Sequence, residues 1–95
     1  MERKALALTE LTAALSNLSG WEIADGRLTK TFKFGSFAEA IGWMVAVALY
    51  ADKLDHHPDW SNVYNRVSVE LLTHDMSAIT TWDIALAERM DELAK

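Results

Sequence analysis

All three histidines of this 95-residue chain fall between His56 and His74, among the carboxylates Asp52, Asp55, Asp59, Asp75 and Asp83. His56 and His57 are adjacent within the run DKLDHHPDW, Asp52 to Trp60, which also holds the only proline. Imidazole has an unperturbed pKa of about 6.5, so it can both give and take a proton near neutrality, and this cluster points to proton transfer. Asp52 precedes His56 by one helical turn, close enough to orient the ring or favour its charged form. Neighbours on a helix diverge by about 100°, so His56 and His57 suit two parts of one ligand better than one metal ion. Three histidines could in principle hold zinc, but this spacing matches no zinc motif, and no metal is expected. Bland readings stand beside these: each histidine as a solvated surface residue, Asp83 as a charge partner for a helix N-terminus, and Trp60 as core. Glycine-rich phosphate loops, nucleophile elbows and dinucleotide fingerprints are absent.

Composition narrows the setting. The length suits one domain, 1–95, with two packed layers, and 51% apolar residues favour a folded chain. With no cysteine, disulfides, thiolate metal sites and a cysteine nucleophile are excluded. A net charge of −5 without a basic block argues against nucleic acid and is compatible with a compact neutral ligand. The opening MERKALALTELTAAL lacks the apolar core of a secretory signal, so a cytoplasmic location is expected.

The elements that must position the histidines follow from periodicity. Leu8, Leu11, Leu15 and Leu18 form one helical stripe that Ser19-Gly20 ends. Trp21 to Ala24 and Arg27 to Phe34 alternate around Asp25-Gly26, predicting a hairpin with Leu28, Phe32 and Phe34 on one side. Lys30 interrupts that inner face, which suggests an edge strand or a snorkelling stem. Ser36 to Glu39 has the capping-box pattern and opens an apolar helix, 36–55. That helix is too short to span a bilayer and is apolar all round, so it should be covered both by the sheet and by a second copy of the chain. Pro58 ends it near Asp55 or His56, with the histidines on its last turn and exit loop. Trp60 to Tyr64 and Val67 to Leu71 form a second hairpin about Asn65-Arg66, and His74 lies in the loop beyond it. Thr80 to Asp83 resembles a cap for a last helix with Ile84, Ala87, Met90 and Leu93 inward. The order α-β-β-α-β-β-α predicts an α+β domain, a four-stranded antiparallel sheet with helices on one face.

The spacing Asp52, His56-His57-Pro58, Tyr64, His74, Asp83 resembles the signature of the pterin-4a-carbinolamine dehydratases. So do GWE at Gly20 to Glu22, TFKF at Thr31 to Phe34, NVYNRV at Asn62 to Val67, LTH at Leu72 to His74 and DIALA at Asp83 to Ala87. The resemblance implies dehydration of 4a-hydroxytetrahydropterin to quinonoid dihydropterin, a step that needs one acid and one base and no further cofactor. It implies proton transfer by His56 and His74, binding of the pterin by His57, Trp60 and Thr73, and orientation of His56 by Asp52 and of His74 by Asp83. It also implies a homodimer or tetramer built on the long helix, with an aromatic amino acid hydroxylase as pathway partner. A non-catalytic role is the alternative, because animal members of the family also serve as dimerisation partners of a homeodomain transcription factor through that helix. Three positions depart from the family pattern. Asp52 stands where glutamate is frequent, Trp82 is unusual beside Asp83, and the loop Asp75-Met76-Ser77-Ala78 lacks a usual glycine. A positive-φ conformation is therefore expected to be lost or adjusted at Ala78.

Overall fold

The computed structural model describes residues 4–95. Helix α1 (Leu8–Leu15) leads to β1 (Glu22–Ala24), β2 (Arg27–Lys33), α2 (Phe37–Leu54), β3 (Asp59–Val63), β4 (Arg66–Leu71) and α3 (Thr81–Ala94), with a 3-10 turn at His74–Met76 before α3. The strands form one antiparallel sheet in the order β1-β2-β4-β3. This is the expected α+β architecture. Leu28, Phe32, Val67, Val69 and Leu71 on the inner face share a core with Leu11, Trp43, Val47, Leu86 and Met90 of the helices. No helix among the described residues is long and apolar enough to cross a membrane.

Local chemistry explains most boundaries. Asp25 and Gly26 both have positive φ, as a two-residue primed turn requires. The Ser36 hydroxyl accepts the Glu39 amide at 3.1 Å, while the Glu39 carboxylate reaches past Ser36 to the Gly35 amide at 3.0 Å. At the start of α1, Glu10 accepts the Ala7 amide, and that bond together with the Lys4 charge holds its carboxyl below the usual range. The second hairpin turns at Tyr64-Asn65, one residue earlier than expected, with Tyr64 at positive φ and the Asn65 side chain donating to the Phe34 carbonyl at 2.8 Å. In α1, Leu8 is exposed and Leu18 lies beyond the helix, so Leu11 alone of the expected stripe is fully buried there.

Three expectations change. Lys30 is on a central strand, because β2 pairs with both β1 and β4. Its side chain is only 17% exposed, and its ammonium lies 4.4 Å over the Phe32 ring and meets the Asp91 carboxylate of α3 at 2.7 Å. Asp91 also accepts from Trp21 Nε1 at 3.0 Å, so one carboxylate joins α3 to both the strand and the residue preceding β1. The glycine-free loop retains its left-handed residue, but at Ser77 (φ 48°), while Ala78 bridges to Thr73. The long helix ends at Leu54, and Asp55 is left-handed, with the His56 amide bonded back to the Ala51 carbonyl. This closing turn puts both histidines outside the helix.

Asp91→Ala should cost about 2–3 kcal/mol in urea unfolding, because it leaves a largely buried lysine without its counter-charge, its ammonium bonded only to the Ser19 carbonyl, and strands an indole N–H. Replacing the pair together, Lys30→Met with Asp91→Leu, should cost much less. Ser77→Gly should raise stability by about 0.5–1 kcal/mol by removing a side chain from the left-handed region.

Candidate active site

The histidines converge because three chain segments end at the same side of the sheet. Asp55 breaks α2, His57 precedes a proline and is driven to extended geometry, and the end of β4 delivers Thr73 and His74 alongside. A cleft of about 310 Å3 results, lined by Asp55, His56, His57, Leu72, Thr73, His74 and Asp75. Its size is at the lower end of the range typical of small-molecule sites.

Each imidazole has Nε2 against a different carboxylate. His56 Nε2 lies 2.5 Å from Asp83 Oδ1, His57 Nε2 2.9 Å from Asp52 Oδ1, and His74 Nε2 3.2 Å from Asp59 Oδ2. These pairings differ from those expected, in which Asp52 served His56 and Asp83 served His74. The left-handed Asp55 is the reason: it turns His56 inward off the helix and swings His57 back over Asp52. Asp59 was one of several nearby carboxylates in the sequence, with nothing to tie it to His74. Only the placement of the first residue of β3 beside the 3-10 turn makes that pair.

Burial divides the three histidines. His56 is 8% exposed and meets the Trp82 ring edge-on at 5.8 Å, whereas the His57 and His74 side chains are 57% and 63% exposed. Asp83, with no exposed surface, is the most heavily bonded group of the site. Its second oxygen accepts the Thr80 amide at 2.8 Å and the Thr73 hydroxyl at 2.9 Å. Asp83 is thus the helix N-terminal partner the sequence suggested, but the ring it faces is His56 and not the expected His74. The Thr80 hydroxyl completes the cap by accepting the Trp82 amide at 3.2 Å.

Two expected binding residues sit differently. Trp60 faces the core side of β3, with its ring 6.0 Å from that of Trp43, and does not line the cleft. Thr73 does line it, but its hydroxyl is engaged by Asp83 and Thr80. Trp82, noticed in the sequence only as unusual, is the aromatic residue against His56. Among the described residues, no three His, Asp or Glu side chains are grouped as metal ligands would be.

An imidazole beside an ionised carboxylate keeps its proton on the facing nitrogen, which leaves Nδ1 to exchange protons. With two accessible rings on one cleft, an acid and a base can operate on the same small molecule.

Comparison with known proteins gives the family. The family described as Pterin 4 alpha carbinolamine dehydratase matches residues 4–93. A Brucella ovis protein named "Putative pterin-4-alpha-carbinolamine dehydratase" is 48% identical over 96 residues, covering 99% of each chain. The crystal structure of a transcriptional coactivator/pterin dehydratase from Brucella melitensis superposes with a TM-score of 0.93 at 47% identity, over 97% of this chain and 100% of that one. A pterin dehydratase-like protein described as a RuBisCO assembly factor in the alpha-carboxysome superposes with a TM-score of 0.65 at 25% identity, over 78% and 86%. With its sequence matched almost from end to end, the chain belongs to the pterin-4α-carbinolamine dehydratase family.

Proposed function

We propose that this protein dehydrates 4a-hydroxytetrahydropterin to quinonoid dihydropterin, working in pterin recycling beside an aromatic amino acid hydroxylase. The observation that carries the reading is the set of three carboxylate-paired imidazoles at one cleft, two of them accessible. In the reaction the C4a–O bond breaks, the departing oxygen takes a proton and leaves as water, and N5 gives up its proton as its electron pair forms the C4a=N5 bond. The net proton change is zero, so one acid and one base suffice.

Accessibility refines the roles inferred from the family resemblance. His57 and His74 are the proton-transfer pair, since both are exposed and each has its second ring nitrogen held by a carboxylate. Their Nδ1 atoms serve the 4a-hydroxyl and N5. His56, enclosed by Asp83 and Trp82, lines the inner end of the cleft and positions the pterin. Asp52 and Asp59 orient the working imidazoles, and Asp83 fixes His56 together with the start of α3.

The long helix supports a homo-oligomer. Its sheet side, Ala40, Trp43, Val47 and Ala51, is buried, while Phe37, Ile41, Val45 and Leu49 make an exposed apolar stripe at four-residue steps. Exposed apolar surface of this regularity marks a protein interface. A non-catalytic binding role would use the same stripe.

The decisive assay follows the ultraviolet absorbance of 4a-hydroxytetrahydropterin generated in situ. Wild type should accelerate its decay, and His57→Ala or His74→Ala should each lose about 10²- to 10⁴-fold while remaining folded. Undiminished turnover in the double variant would remove the histidine mechanism, and inactivity of folded wild type would favour the binding role. Asp83→Asn should destabilise the fold by about 2 kcal/mol, because the amide cannot serve His56, Thr73 and the Thr80 amide at once. Val45→Glu with Leu49→Glu should reduce the sedimenting species to a monomer, and a monomeric wild type at micromolar concentration would contradict the oligomer.

A further inference from the structure

We propose that Arg27, at the turn end of the first hairpin and beside the end of β4 that leads into the cleft, is a positioning residue for His74, acting through Asp59. Arg27 closes the β1–β2 turn, where it pairs with Ala24. Register places it on the outer sheet face: Thr29 pairs with Glu70 and Glu70 with Asp59, so a side chain two residues from Thr29 reaches diagonally across β4 to the start of β3. There Arg27 Nη1 donates to Asp59 Oδ2 at 3.2 Å and to Glu70 Oε1 at 3.3 Å. The same Asp59 oxygen meets His74 Nε2 at 3.2 Å. Guanidinium and imidazole therefore lie against the same carboxylate oxygen.

The physical need is clear from exposure. The side chains of Asp59 and His74 are both more than half exposed, and Asp59 begins an edge strand. A carboxylate with the imidazole as its sole partner would be free to change rotamer, and His74 would lose its hold with it. Arg27 supplies the second contact. Its rigid fork pins the Asp59 oxygen against which His74 Nε2 rests, holding the ring with Nδ1 on its far side. Glu70 steadies the guanidinium from the other side. Each contact is exposed and weak alone; coupling comes from the shared oxygen.

The effect on turnover rests on the dehydratase reading, whereas the effect on His74 order does not. Side-chain NMR relaxation of the three histidine rings in the full-length protein tests both, with His56 and His57 as internal controls. Arg27→Met should loosen the His74 ring as far as Asp59→Ala does and leave the other two rings unchanged. Arg27→Lys should restore part of the order, and Arg27→Met in the Asp59→Ala background should add nothing. In the pterin assay, Arg27→Met should lower kcat roughly two- to fivefold with KM unchanged, the size an exposed ion pair supports. An unaltered His74 ring in Arg27→Met beside a loosened one in Asp59→Ala would overturn the proposal, as would equal loosening of all three rings. A selective change at His74 in a protein without turnover would uphold the positioning and count against the dehydratase reading alone.

Discussion

The buried carboxylate of Asp83 is the constraint on which the site depends. A carboxylate removed from water is tolerated only when its oxygens are bonded, and here two segments from distant parts of the chain supply partners. Thr73 arrives from the end of β4 and His56 from the exit of α2, while Thr80 caps the helix that carries Asp83 itself. Because the group has no exposed surface, these partners must be in place together. Satisfying one anion thus holds the inner wall of the cleft and the start of α3 in a fixed relation.

The outer part of the site is built on different principles. His57 and His74 are held by exposed carboxylates, Asp52 and Asp59, so their anchoring is looser and open to solvent and ligand. This gradient from a locked interior imidazole to accessible outer ones suits a reaction in which protons are exchanged at the rim of a flat molecule. It also keeps the accessible rings out of the core, where the Lys30–Asp91 pair and the Trp43 bond to the Met90 carbonyl at 3.1 Å fix α3 against the sheet and α2.

Local signals in the sequence were read correctly where the physics is local. The Asp25-Gly26 turn, the Ser36 and Thr80 caps and the existence of both hairpins all depend on residues within a few positions of one another. Misplaced features depend on distant segments. Lys30 resembles an edge-strand residue until α3 brings Asp91 beside it. Trp60 resembles a ligand wall until Trp43 occupies the same side of the sheet. The left-handed residue of the His74 loop falls on Ser77 and not Ala78, because Ala78 is drawn into a bridge with Thr73.

What the sequence by itself determined was the inventory and its grouping: three imidazoles, several carboxylates, a proline that ends a helix, and an α+β order able to bring them together. Tertiary structure alone decided which carboxylate serves which ring. Helical spacing pairs Asp52 with His56 only while the helix continues, and Asp55 in the left-handed region ends it one residue too early. From there His56 turns toward α3, His57 falls back on Asp52, and His74 takes the Asp59 that strand register holds beside Arg27. Hydrogen bonds of this kind depend on sub-ångström placement of atoms from separate elements, which spacing along a chain does not encode.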